Sequence, residues 1–371
     1  MTKVSIIHSR YTDEDGKIKI GGVESYINAL SGIIQELGYE LSIFQYGIKD
    51  VEHSVNNVRV VDVGNAKRPS DLLEYISKNE NPDFPNDLII FASDYMISNN
   101  RFKHSIAIQH GVAWDITSDR RVSRTMNYAN IIKNALRAIR KYNKYRECHT
   151  LVSVDYNFPN WYRSEVKHID NNLVVIPNFA RITRTAYARL NDNKVRIIFA
   201  RRLVEYRGTR LFVNAIRPLL ERYPFIEVVI AGDGPDGVWM QNELASFDNV
   251  KFIKFESRDS VKVHSQFDIA VVPTKGSEGT SLSLLEAMAA GCAVVTTGIG
   301  GLSNIIIDGY NGRIVIPKTK PLENAIEELI TNPKLRNTLS SCGKITVREA
   351  FSFEKWSHKW KELLAHEIAA D

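Results

Sequence analysis

The sequence predicts an α/β protein made of two doubly wound parallel sheets in tandem. Short, nearly continuous apolar runs recur along the chain, as strands buried on both faces require. Helix-period segments such as 23–37 and 208–223 lie between them, giving the alternation that right-handed crossovers need. The pattern appears in both halves of a chain of 371 residues, which is too long for one average domain.

In the first half, VSIIHS, LSIFQY, VRVVDV, DLIIFAS, SIAIQH, LVSVDY and LVVIP read as strands. In the second half, VRIIFA, EVVIAG, VKFIKF, IAVVPT, AVVTTG and GRIVIP do the same. The polar stretch 176–194 has little apolar periodicity and marks the border. Residues 1–177 are expected to form one domain and 178–352 the other. The final segment, about 353–371, reads as a helix with Trp356, Trp360, Leu363 and Leu364 on one face. It is expected to pack back on the first domain.

Composition narrows the class. With 44% hydrophobic and 25% charged residues the chain reads as soluble and globular. No apolar run reaches the roughly 18 residues of a membrane span. The N-terminal MTKVSIIHSRY enters a strand pattern at once and shows no signal peptide. Cys148, Cys292 and Cys342 form no CxxC pair, so zinc and redox chemistry are not indicated and a cytoplasmic, reducing setting is expected. The net charge of +5 does not by itself call for nucleic acid. The charge is concentrated, however. Between Arg120 and Arg146 stand nine basic residues and no acidic one. This basic amphipathic region, 120–146, suits an anionic membrane surface or an anionic acceptor, against the plain reading of a solvated helix.

In an open α/β sheet, ligands bind outside the carboxyl ends of the strands, so the loops there are the places to search. After the first strand, Gly21 and Gly22 precede a helix, where backbone N–H groups can approach a phosphate. A ligand-free tight loop reads equally well. The TDEDG stretch lacks the rest of a calcium loop and reads as a solvated turn. In FARRLVEYRGTRLF, Arg202 and Arg207 stand near a strand end and a helix start. Two such cations suit a leaving diphosphate, and an arginine-rich surface turn is the alternative. Gly232 and Gly234 either border a nucleotide or simply turn the chain.

The most informative stretch is GSEGTSLSLLEAMAAG, residues 276–291. Its helix is expected to start near Thr280 or Ser281, making an anion site from the N–H groups of Gly279, Thr280, Ser281 and Leu282. Glu278 precedes that site and Glu286 follows it. Neither carboxylate suits a phosphate, but both suit hydroxyl groups. A nucleotide sugar carries sugar hydroxyls, a diphosphate and ribose hydroxyls in that order. Glu278 is thus expected on the sugar and Glu286 on the ribose. A helix residue in a surface ion pair is the alternative for Glu286, although an acid within SLLEAMAA fits that poorly.

On these motifs the chain resembles the family 4 retaining glycosyltransferases of the glycosyl transferases group 1 superfamily. Glu278 and Glu286 match the family's E-x7-E pair. RRLVEYRG resembles its GRLxxxKG motif, with Arg202 on the arginine and Arg207 on the lysine. GGVES, VIPN, AGDGP and FSFEKW match further landmarks. The chain departs from the pattern at Arg201, which replaces a glycine, and at Asn304 and Lys254. The resemblance implies the GT-B fold, two Rossmann-like domains facing across a cleft. It implies a nucleotide-sugar donor, retention at the anomeric carbon, and a role for His110 near the donor sugar. Catalysis is then expected from His110, Glu278, Arg202 and Arg207, without a metal, since no Asp-x-Asp motif follows a strand of the second half. A glycan or lipid-linked glycan is the expected acceptor. An epimerase or phosphorylase of the same architecture, or a non-catalytic subunit, are the alternatives.

Overall fold

The computed structural model describes residues 2–19, 21–111, 136, 144–165, 172–182, 192–256, 259–276 and 278–369. They divide into two compact units. One takes in the chain up to His110, the described residues on to Pro177, and the segment from Trp356 onward. The other is formed chiefly by Asn178–Lys355. Most of the basic region 120–146 lies outside the described residues.

The first unit holds an eight-stranded sheet. Its strands are β1 (Lys3–Ile7), β2 (Glu40–Gly47), β3 (Val51–Val55), β4 (Val58–Gly64), β5 (Leu88–Phe91), β6 (His104–Gln109), β7 (Thr150–Ser153) and β8 (Leu173–Val175). Their order is β3-β4-β2-β1-β5-β6-β7-β8. Seven of these match the predicted runs, and all seven run parallel. The addition is β3, which pairs antiparallel with β4 at the sheet edge. Its sequence VEHSV is half polar because only one strand covers it. The hairpin turns on Asn56 and Asn57, with φ of 51° and 61°, the left-handed pair that a tight hairpin demands.

Trp356 and Trp360, on the C-terminal helix Phe353–Ala369, complete the core of this unit. They are buried against Tyr26, with ring centroids 5.0 and 6.1 Å away. The Trp360 indole N–H donates to the Tyr26 hydroxyl at 2.8 Å, so the polar atoms of two buried aromatics satisfy each other.

The second unit holds a parallel sheet of six strands: β9 (Val195–Ala200), β10 (Ile226–Ala231), β11 (Val250–Ile253), β12 (Ile269–Val272), β13 (Ala293–Thr297) and β14 (Arg313–Val315). These are the six predicted runs. Val195, Ile197 and Phe199 of β9 enter one apolar cluster, and Ile198 and Ala200 enter another. A strand with a core on each face has no polar side, and this explains the unbroken run IIFA that follows Arg196, whose charge pairs with Asp192 at the strand's start. The order β11-β10-β9-β12-β13-β14 reverses direction between β9 and β12. In open α/β sheets ligands bind outside the carboxyl ends of the strands at such a reversal. Among the described residues no helix is long and apolar enough to cross a membrane.

Candidate active site

The loops after β9 and β12 are stitched together at this reversal. Tyr206 accepts hydrogen bonds through its carbonyl from the amides of Lys275 (2.8 Å) and Gly276 (3.1 Å). Gly208, at φ 87°, allows the approach. A Cβ there would lie 1.9 Å from the Pro273 carbonyl oxygen, so only glycine fits.

Three charged side chains converge in this joint. Glu278 is buried, at 8% exposure. Its Oε2 accepts from Arg201 Nη2 at 2.6 Å, from Arg207 Nη1, and from the Thr274 hydroxyl at 3.1 Å. Arg201 Nη1 also donates to Thr274 Oγ1. The Arg201 side chain is 4% exposed and that of Arg207 25%. Burial pushes both guanidinium groups below their ordinary value. For Arg207 the like charge of Arg201 adds to the effect, and that of Arg202 contributes less. Two cations against one carboxylate leave an excess positive charge, which a buried site tolerates only with an anion close by. The Arg202 side chain, one residue on, is exposed.

The helix Leu282–Ala290 starts just past Glu278, with Ser281 as N-cap. Among the described residues no side chain caps it, so its first amides have no side-chain acceptor. The approach is held from two sides. Asn178 Nδ2 donates to the Thr280 carbonyl at 2.5 Å, and the Gly301 amide donates to that of Glu278 at 2.8 Å. Glu286 lies within the helix, partly buried. Burial pushes its carboxyl up to about 7, although the Ser260 hydroxyl, donating at 2.6 Å, works the other way.

Gly232 and Gly234 pack on the backbone of the β9 loop. A Cβ on either would lie 2.0 Å from the Arg201 carbonyl oxygen or 2.4 Å from that of Leu203. They brace the loop that carries the arginines. Lys254 pairs with Asp233 of the same turn at 2.7 Å, both exposed.

In the first unit, His110 follows β6. Its Nε2–H donates to the Ala92 carbonyl at 2.9 Å, and its ring meets that of Tyr26 edge-on at 5.2 Å. Burial pushes it down to about 4, so it is neutral at physiological pH and presents Nδ1 as an acceptor. Gly21 caps the helix Gly22–Glu36. The Glu24 carboxylate folds over it, with Oε2 2.0 Å from where a Gly21 Cβ would stand. His8 Nε2 approaches Glu24 Oε1 at 3.4 Å. The helix end expected to face a phosphate therefore faces an acid of its own first turn.

Residues 184–345 match the family model for Glycosyl transferases group 1. This segment resembles a glycosyl transferases group 1 domain. It contains Arg201, Arg207, Glu278 and Glu286. The chain is 33% identical over 164 residues to an uncharacterized glycosyltransferase of Methanocaldococcus jannaschii, covering 43% of this chain and 44% of that protein. It is 27% identical over 159 residues to phosphatidyl-myo-inositol mannosyltransferase of Mycolicibacterium smegmatis, 41% of each. The matches cover less than half the length of these curated relatives. Sucrose-phosphate synthase of Thermosynechococcus elongatus superposes with a TM-score of 0.76 at 17% identity over all of both chains. Anabaena HepE, solved in complex with UDP, gives 0.74 at 15% identity, over 98% of this chain and all of that one. These likenesses show the fold, which is GT-B, with two Rossmann-like α/β sheets.

Within the group 1 domain, sequence reasoning missed the parts that hold the others in place. Thr274 and Ser260 are ordinary small polar residues until the fold sets them beside Glu278 and Glu286. Arg201 read as a mere departure from the family pattern, yet it is the arginine buried against Glu278. Only Gly208 had a signal, in the YRG of the motif.

Proposed function

We propose that this protein transfers a glycosyl group from a nucleotide sugar to an acceptor, with retention at the anomeric carbon. The observation that carries this reading is the charge balance at the β9–β12 reversal. Two largely buried guanidinium groups face one carboxylate beside an uncapped helix N-terminus. A diphosphate supplies the missing negative charge. The group 1 domain match supports the same reaction class.

On this reading Arg207, the exposed Arg202 and the amides of Ser281 and Leu282 take the diphosphate. They stabilise the charge that grows as it leaves. Glu278 accepts from a donor-sugar hydroxyl and Glu286 from the ribose. His110, neutral, offers Nδ1 to a sugar hydroxyl. The anomeric C–O bond to the diphosphate breaks while the acceptor oxygen bonds on the same face. The acceptor's proton passes to a phosphate oxygen. This requires no enzyme nucleophile and no metal. We assign a glycan or lipid-linked glycan as acceptor, in cell-surface polysaccharide assembly, with the basic region 120–146 meeting an anionic membrane surface on the cytoplasmic side.

A thermal-shift panel of nucleotide sugars tests the reading, because a ligand bound only by the folded state raises the midpoint. At least one nucleotide sugar, together with its nucleoside diphosphate, should stabilise the protein. Transfer from that donor to a glycan should leave the anomeric configuration unchanged. No shift with any donor, or an inverted product, overturns it.

A further inference from the structure

We propose that Arg201 is a positioning residue. It fixes the orientation of Glu278 so that one carboxylate oxygen is kept for the donor sugar. This inference rests on the glycosyltransferase reading above.

Arg201 leaves β9 at the point where the sheet order reverses, and its side chain crosses to the loop after β12. A guanidinium with 4% exposure has lost nearly all its water, so it stays there only if its donors are satisfied. Its planar fork engages two partners at once, Nη1 on Thr274 and Nη2 on Glu278. Thr274 passes the contact on, since its own hydroxyl donates to the same Glu278 oxygen. Oε2 therefore receives Arg201, Arg207 and Thr274. Among the described residues nothing donates to Oε1. A carboxylate pinned through one oxygen cannot spin, and its second oxygen points in one fixed direction.

The two arginines are not equivalent. Arg207 is 25% exposed and has a path to a ligand. A diphosphate can draw it away from Glu278. Arg201 has no such path, so it still holds Glu278 after Arg207 has turned to the leaving group. Without it, Glu278 would lose its orientation at the moment the sugar has to be held.

The test is a double-mutant cycle on R201M, E278Q and the pair. Diphosphate affinity is read by calorimetry, kcat and KM with the donor found above, and folding by thermal melt. R201M is expected to bind nucleoside diphosphate within about threefold of wild type and to lose at least about tenfold in kcat. R201K, which keeps the charge but reaches one partner instead of two, is expected to fall between them. R201M/E278Q is expected to be no slower than E278Q alone, within about threefold, because both changes remove one device. R201K also serves if R201M folds poorly, with unchanged diphosphate affinity and reduced kcat expected. Losses that multiply in the double variant overturn the proposal, since Arg201 would then act apart from Glu278. So does a fall in diphosphate affinity matching the fall in kcat, which would make Arg201 a ligand for the leaving group. An unchanged kcat in R201M overturns it too. Wild-type protein that binds no nucleoside diphosphate is a different result, visible before any variant is made. It removes the glycosyltransferase reading itself.

Discussion

Replacing Glu286 with glutamine should make the protein more stable and a poorer binder, and only above a certain pH. Burial raises the Glu286 carboxyl from 4.5 to about 7. Between those values the folded protein keeps a proton that the unfolded chain has released. The favourable contribution is thus complete below the unfolded value and is lost as pH rises to about 7. A gap of about 2.5 pH units, at about 1.36 kcal/mol each, puts the cost of the ionised carboxylate at roughly 3 kcal/mol at most. Glutamine is neutral at every pH and keeps an oxygen for the Ser260 hydroxyl. Glu286→Gln should therefore melt with wild type near pH 4 but roughly 5 to 10 °C higher at about pH 8.5. Binding should move the opposite way. A charge-assisted hydrogen bond to ribose contributes roughly 1.5 to 3 kcal/mol, so the variant should bind nucleoside diphosphate about tenfold to a hundredfold more weakly at high pH. That ratio should shrink below pH 7, where the wild-type carboxyl is itself protonated. The diphosphate's own titration is common to both proteins and cancels. Thermal melts and calorimetric titrations across this range provide the measurements. Equal melting differences at both pH extremes refute the desolvated carboxylate. Unchanged diphosphate affinity refutes the ribose contact.

Trp360→Ala empties a fully buried site and leaves the Tyr26 hydroxyl without its indole donor. It should cost about 3 to 5 kcal/mol, read from the urea midpoint, and an unchanged midpoint would show that the C-terminal helix does not stabilise the first unit. Transfer activity should survive exhaustive chelation, since arginines and helix amides carry the leaving charge; loss restored only by manganese or magnesium would mean a metal does that work. The basic region 120–146 should draw the protein onto anionic vesicles in a salt-sensitive way, and replacing Arg137, Arg140, Lys141 and Lys144 with glutamine should release it without unfolding. Equal sedimentation with neutral vesicles counts against this.

Strands were the most legible part of the fold, because parallel strands with a core on each face write themselves as unbroken apolar runs. β3 escaped because an edge strand needs no such run. The start of the helix Leu282–Ala290 was legible within a residue or two, since Gly279 to Ser281 cannot comfortably extend it. Partners across the fold were not legible. Seventy-seven positions separate Arg201 from Glu278, and only the pairing of β9 with β12 brings them together. Nor does a sequence show which of two adjacent arginines turns inward. Arg202 matched the motif while Arg201 took the buried place. Glu24 illustrates the same limit, since Gly21–Gly22 signals an open helix end but not the acid three residues on that folds over it.

The segment from Trp356 onward belongs to the first unit, although the whole of the second precedes it in the chain. During synthesis the residues up to Pro177 leave the ribosome ahead of that segment and wait without this part of their core. Tyr26 then has no indole donor, and the apolar surface that Trp356 and Trp360 will cover stays wet. The second unit, formed chiefly by Asn178–Lys355, can finish folding before the first, which waits for the segment from Trp356 onward. Nascent chains of this protein should thus bind nucleotide before their amino-terminal half is protected from protease. Loss of the segment from Trp356 onward would damage the unit translated ahead of the second.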